Sequence, residues 1–344
     1  MRRPILAIVL AIVANANALD LAEAWRSVPA RPDAITTRLE LITAESALLR
    51  VESDPLALRL DRLRATQEVE LLRAQHRHAL LTALQQIAEA YTSVLQAREQ
   101  VALAQAGLEL AEAGLEVARI RFANGGATSL EVRDAEIGVD EARQGVEAAR
   151  SGLDVARANL EGMIGAEVDP AELEPVPDDL LVALPALEEV VARLGEHPTL
   201  LQASHGVALA RAGVELLDPA YAPLAQIESA RTQLATAEEL VAEARRGFEL
   251  QARNAYLQAR SAADRHAVAA ERAAAAEERL ALEERRLAGG LISRLQLDQA
   301  ELETRQRRLE LQAARHEHLL ALLRLQSATM HDLGLAPLEG EAAR

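Results

Sequence analysis

The sequence predicts an all-α fold of two tandem repeats, each a long antiparallel coiled-coil helical hairpin, with little or no β-strand. Three observations predict it. Strong helix formers dominate and aromatic residues make up only 2% of the 344, a composition suited to long, closely packed helices. Apolar residues recur every seven positions over long stretches, the mark of a coiled-coil seam. Landmarks of the first half return in the second at an offset of about 165 residues, the mark of an internal duplication.

Taken in chain order, residues 1–18 read as a signal peptide. Arg2 and Arg3 precede an apolar run from Ile5 to Ala14, and small residues follow at Ala16 and Ala18. The run is far short of the roughly 20 residues that cross a bilayer. The net charge is −16 with every basic residue an arginine, and such acidity repels nucleic acid. No cysteine is present, so disulfides and thiolate metal sites are excluded.

The first repeat covers residues 19–164. Ile87, Val94, Val101, Leu108, Leu115 and Phe122 recur every seven residues, with Ala90, Ala97, Ala104, Ala111 and Ala118 three positions on. Alternating large and small residues let a partner helix approach closely. These 36 positions make a rod of about 54 Å. After a glycine turn, Val132, Val139, Val146, Leu153 and Leu160, with Ala135, Ala142, Ala149 and Ala156, repeat the scheme on a returning helix. Residues 165–185, with Pro170, Pro175, Pro177 and Pro185 among acids, read as an irregular connector.

The second repeat covers residues 186–334. Tyr256 answers Tyr91, and Arg286-Leu287-Ala288-Gly289-Gly290 answers Arg121-Phe122-Ala123-Asn124-Gly125. Asp218-Pro219 answers Asp54-Pro55, and Pro198 answers Pro32. Here the seam is thinner: Ala252, Ala255, Ala259, Ala262, Ala269, Ala273 and Ala276 on one helix, interrupted by His266, and Leu295, Leu302, Leu309 and Leu323 on the next. Residues 335–344 read as a flexible tail.

The order of elements resembles the TolC-like family of outer-membrane efflux proteins over nearly the whole chain past residue 18. In each unit a short start helix ends near a proline, a second helix and an Asp-Pro break follow, and a long hairpin ends in a glycine tip. Leu19-Asp20-Leu21-Ala22-Glu23-Ala24 and Leu187-Glu188-Glu189-Val190 look like that family's opening segments. The tips Gly125-Gly126-Ala127-Thr128-Ser129-Leu130 and Gly289-Gly290-Leu291-Ile292-Ser293-Arg294-Leu295 look like its periplasmic turns.

The resemblance implies a homotrimer whose hairpins close a tunnel, a passive conduit working with a membrane-fusion adaptor and an inner-membrane pump. It implies an exported chain in the periplasm or outer membrane of a double-membraned bacterium. By that resemblance Gly125, Gly126, Thr128, Ser129, Leu130, Gly289, Gly290, Ser293 and Leu295 lie at the adaptor contact. The same residue types serve turn and N-cap chemistry on their own, so both roles stay open. Glu131, Asp134, Gln296, Asp298 and Gln299 occupy the positions of a possible gate, although the acid pair of the family's second tip is replaced here by Gln296 and Gln299.

One departure is larger. Family members insert barrel strands between the Asp-Pro break and the long hairpin, and a membrane strand needs about 9–11 alternating residues. Leu56, Leu58 and Leu60 alternate in this way, yet Leu56, Leu60 and Leu63 also fit one helix face. At most one short strand per unit fits, which favours as an alternative a barrel-less periplasmic scaffold or adaptor-like spacer.

No catalytic constellation appears. His76 with His78, and His316 with His318, lack the i, i+4 spacing that puts two ligands on one helix face, and read as solvated or interfacial. No phosphate loop or nucleophile elbow is present. The expectation is a non-enzyme without cofactor or metal.

Overall fold

The computed structural model describes residues 19–335. The expected signal peptide and residues 336–344 of the expected tail lie outside the described residues. Eight α-helices follow in order: α1 Leu21–Trp25, α2 Pro32–Ser53, α3 Arg59–Ala123, α4 Ser129–Ile164, α5 Leu187–Ala192, α6 Pro198–Glu215, α7 Leu224–Ala288 and α8 Arg294–Thr329. Among the described residues there is no strand, only an isolated parallel bridge between Leu19 and Leu173.

The duplication extends to helix length. α3 and α7 each run 65 residues, and α4 and α8 each run 36. A 65-residue helix is about 98 Å long, so the rods extend well upstream of Ile87. Neither α3 nor α7 contains a proline, so nothing removes a backbone donor inside them. Pro32 and Pro198 instead occupy the first position of α2 and α6, where the missing N–H costs nothing.

The alternating leucines do not form a strand. Leu56 lies in a tight turn, Leu58 caps α3, and Leu60 is already helical. Helices α2 and α3 thus close directly into a hairpin through residues 54–58, and α6 and α7 do so through residues 216–223.

The helices form a single-layer wall. At one end α2 packs on α3, α3 on α6 and α6 on α7. At the other, α4 packs on α3, α3 on α8 and α8 on α7. Helices α3 and α7 run the full height, with α6 and α8 between them. One edge of the wall is α2 with α4, and the other is the outer side of α7.

The core lies at the waist, where chain segments cross the rods. Trp25, Leu84, Ile87, Tyr91, Leu160, Val176, Leu319 and Leu322 are buried together there. The connector takes part, since Val168, Leu173 and Val176 are buried and Arg98 donates to the carbonyls of Pro170 and Leu173, each at 3.0 Å. Trp25 Nε1 donates to the Leu84 carbonyl at 3.0 Å. Leu335, placed in the tail by sequence, is buried in the same cluster.

The sevenfold seam loses cover with distance from the waist. Ile87 and Val94 are fully buried, Val101, Leu108 and Leu115 partly so, and Phe122 is 50% exposed. In the second unit Ala252, Ala259, Ala262, Ala273 and Ala276 are buried, the small residues letting α8 lie close.

Candidate functional site

Each long hairpin ends in a tip built twice to the same pattern. Gly125 has φ +72° and Gly290 φ +70°, a left-handed conformation that glycine adopts without cost. The Gly126 amide donates to the Arg121 carbonyl at 2.8 Å and that of Gly125 to Phe122 at 3.0 Å. Leu291 and Gly290 donate likewise to Arg286 and Leu287, both at 2.9 Å. This double closure satisfies carbonyls that a helix end leaves open.

Two residues later a capping box opens the returning helix. Thr128 accepts from the Glu131 amide while the Glu131 carboxylate accepts from the Thr128 amide. Ser293 accepts from the Gln296 amide at 3.3 Å, and the Gln296 side chain accepts from the Ser293 amide at 2.9 Å. Reciprocal caps of this kind fix the entry angle of a helix. The Thr128 backbone and side-chain donors hold the Glu131 carboxyl below its ordinary range, with help from Arg121.

The expected docking residues therefore come together as two compact tips. Gly125, Gly126, Thr128, Ser129, Leu130, Gly289, Gly290 and Ser293 are exposed, and Leu295 is partly buried. Sequence reasoning missed the apolar residues that crown them. Ile120, Phe122 and Leu291 are all exposed beside the turns. The available signal was a large apolar residue close to each glycine pair, Leu291 directly after Gly290 and Phe122 three residues before Gly125, the latter absorbed into the seam by the sevenfold spacing.

The five gate positions do not form one cluster. Glu131 and Gln296 are engaged in the capping boxes. Asp298 receives Arg294 Nε at 2.7 Å and lines a cleft of about 230 Å³ with Glu109, Leu110, Glu301 and Arg305, so it faces the groove between α3 and α8 inside the wall. Asp134 and Gln299 are exposed.

Of the two expected settings, solvated or interfacial, His316 and His318 take the interfacial one. His316 and His318 are buried, and none of their ring nitrogens has a hydrogen-bond partner among the described residues. Burial lowers the His316 pKa to about 4, with Arg315 adding repulsion. His197 is likewise lowered to about 4 by burial and by His78, whose ring lies 5.3 Å away. Among the described residues no group of three or more His, Asp or Glu could hold a metal ion, and no helix is long and apolar enough to cross a membrane.

Residues 57–166, which span α3, the first tip and α4, match the model of the outer membrane efflux protein family. That match covers 110 of the 344 residues. Solved structures share its fold across nearly the whole chain. The outer membrane protein VceC of Vibrio cholerae aligns with a TM-score of 0.60 at 16% identity, covering 90% of this chain and 95% of its own. CusC gives 0.65 at 14%, covering 91% and 96%. The MtrE outer membrane channel of Neisseria gonorrhoeae gives 0.60 at 16%, covering 92% and 89%. No curated protein matches the sequence. The chain thus has the TolC-like helical fold, and α7 and α8 repeat in length the α3 and α4 that the family model matches.

Proposed function

We propose that this chain is one stave of an efflux duct in the cell envelope, a passive conduit that three copies close and that an adaptor and an inner-membrane pump engage at the glycine tips. The observation that carries this is the open single-layer wall. An isolated layer leaves both edges unsatisfied, and here the edges are apolar. Ile35, Leu39, Ile42 and Leu49 recur at helical spacing along α2, and Leu250 and Leu257, two turns apart, share one face of α7, all exposed. Exposed apolar side chains along both edges suit a protein interface, and a wall that meets copies of itself edge to edge with rotational symmetry closes into a tube. The family match over residues 57–166 and the fold shared with outer membrane channels support the same direction. No enzyme chemistry is assigned to the chain.

The native mass, by light scattering with and without detergent, tests the assembly. A trimeric mass is expected, and a monomer under both conditions overturns the duct. Crosslinking from Ser129 and Ser293 to a co-expressed adaptor tests the docking role of the tips. Absence of any adduct overturns that part.

A second version follows from residues 54–58 and 216–223, which close as turns where the relatives' barrel would begin. In it the same tube serves as a barrel-less periplasmic spacer. Conductance across reconstituted liposomes separates the two: single-channel steps support the conduit, and their absence from a correctly trimeric protein supports the spacer.

A further inference from the structure

The end of the wall opposite the glycine tips carries a second exposed apolar feature, and it too is duplicated. Asp54 accepts from the Leu56 amide at 2.9 Å and Asp218 from the Ala220 amide at 2.8 Å. Each aspartate precedes a proline, so side chain and ring together fix the turn. The backbone closes behind them, with Ala57 donating to Asp54 at 3.2 Å and Ala222 to Asp218 at 2.8 Å. Arg59 and Glu215 pair at 3.4 Å, which sets the two turns side by side.

These turns hold out apolar side chains. Leu56 is 86% exposed and Tyr221 88%, with Leu58, Leu216 and Leu224 exposed around them. Residues 219–227 contain no charge, in a chain where 26% of residues are charged.

We propose that this end seats in a lipid bilayer surface, the two Asp-Pro turns inserting Leu56 and Tyr221 among headgroups and upper acyl chains without crossing the membrane. Geometry favours lipid over a second copy. Copies that meet along the edges α2, α4 and α7 touch along the length of the rods, whereas these turns point past their ends, where a side-by-side neighbour has no surface to offer. Side chains so exposed also lie in no groove, so a folded partner has to supply the whole pocket; a bilayer interface supplies it everywhere. A phenol beside leucine and proline suits that interface, with its ring in the apolar layer and its hydroxyl in water. Charge does not oppose the contact. Arg50, Arg59, Arg62 and Arg64 stand against Glu52, Asp54, Asp61, Glu215, Asp218 and Glu228 around the turns, so this end carries only a small part of the chain's −16. Side-by-side copies multiply the contact, as linked weak sites do.

The proposal rests on the envelope reading only for which membrane is met; the lipid contact is tested by itself. The full chain is mixed with vesicles of phosphatidylethanolamine and phosphatidylglycerol, and separately of phosphatidylcholine, and sedimented. Binding is expected to both and to persist in high salt, because apolar insertion is not screened. The double variant Leu56→Ser with Tyr221→Ser is expected to lose binding by at least about tenfold, and its helicity by circular dichroism checks that it folds. Tyr221→Trp gives a direct reporter, since the natural Trp25 is buried: vesicles should shift the emission of the introduced indole to shorter wavelength. Emission from the Tyr221→Trp variant that vesicles leave unmoved, or equal sedimentation of parent and double variant, overturns the proposal. So does an emission shift that tracks protein concentration without lipid, which assigns the turns to a copy of the chain. Failure here leaves the native mass, and with it the duct, untouched.

Discussion

The Tyr91 hydroxyl donates to the Leu19 carbonyl at 2.8 Å, and the Tyr256 hydroxyl donates to the Pro185 carbonyl at 3.1 Å. Leu19 and Pro185 each lie two residues before the first helix of their unit. The two tyrosines thus perform one task, tying the incoming segment of each repeat to the middle of its long rod. They are not equally loaded. Tyr91 is fully buried, and its one hydroxyl proton is shared with the Glu174 backbone carbonyl at 2.7 Å, drawing the connector into the same knot. Burial and the acids Asp20 and Glu174 raise its pKa far above the ordinary phenol range, so it stays a neutral donor at any physiological pH.

Tyr91→Phe should therefore destabilise more than Tyr256→Phe. The first leaves two carbonyls without their phenol at a buried site, a loss of about 1–3 kcal/mol. The second leaves one, beside a partly exposed ring, and should cost about 1 kcal/mol or less. Urea unfolding followed by circular dichroism measures both, and an equal or reversed order refutes the unequal loading.

At the tips, Gly290→Ala should cost about 1 kcal/mol, from backbone strain alone. A Cβ at Gly290 meets nothing within 4 Å, so a steric contribution is absent. Ser293→Ala should remove about 1 kcal/mol of capping. Hydrogen exchange should locate both effects in the last turn of α7 and the first of α8, leaving the waist protected. Exchange that rises at the waist instead contradicts a tip that closes independently.

The seam explains why so much was legible. A seven-residue period and a glycine pair are local signals, and each maps onto one helix face or one turn. The waist was not legible, because Trp25, Tyr91, Val176 and Leu322 meet only after the chain has folded across hundreds of residues. His316 shows what local reading leaves open: its neighbours Arg315 and Glu317 are charged, and it is the i+3 and i+6 positions Leu319 and Leu322, both fully buried, that place it at the interface. The turns at Asp54 and Asp218 were visible as breaks, but the alternation of Leu56, Leu58 and Leu60 fits a strand as well as a helix start. Only the absence of a breaker from Arg59 to Ala123 decides for helix.

Close approach at the seam should make size decisive there. Ala259 is fully buried between α7 and α8, and Ala259→Leu should destabilise by about 1–3 kcal/mol through overpacking. The exposed Ala270 is the control, and Ala270→Leu should change stability by less than about 0.5 kcal/mol. Thermal unfolding of the two variants side by side reads the difference. Equal effects rule out close packing at Ala259.

The buried histidines should make stability pH-dependent in one direction. The folded pKa of His316, about 4, lies below the value near 6.5 of an unfolded histidine. Between those values the unfolded chain binds the proton and the folded one does not, so stability rises with pH across that window. It is complete above about pH 6.5, declines as pH falls toward 4, and levels off below. For His316, which is 5% exposed, the full loss is about 3 kcal/mol. His197 and His318 are shifted the same way by burial and steepen the slope. His316→Leu should remove the unpartnered nitrogens and flatten the profile, with little change at about pH 7.5. Urea midpoints measured from about pH 4 to 7.5 test this, and an unchanged slope in the variant assigns the acid sensitivity to other groups.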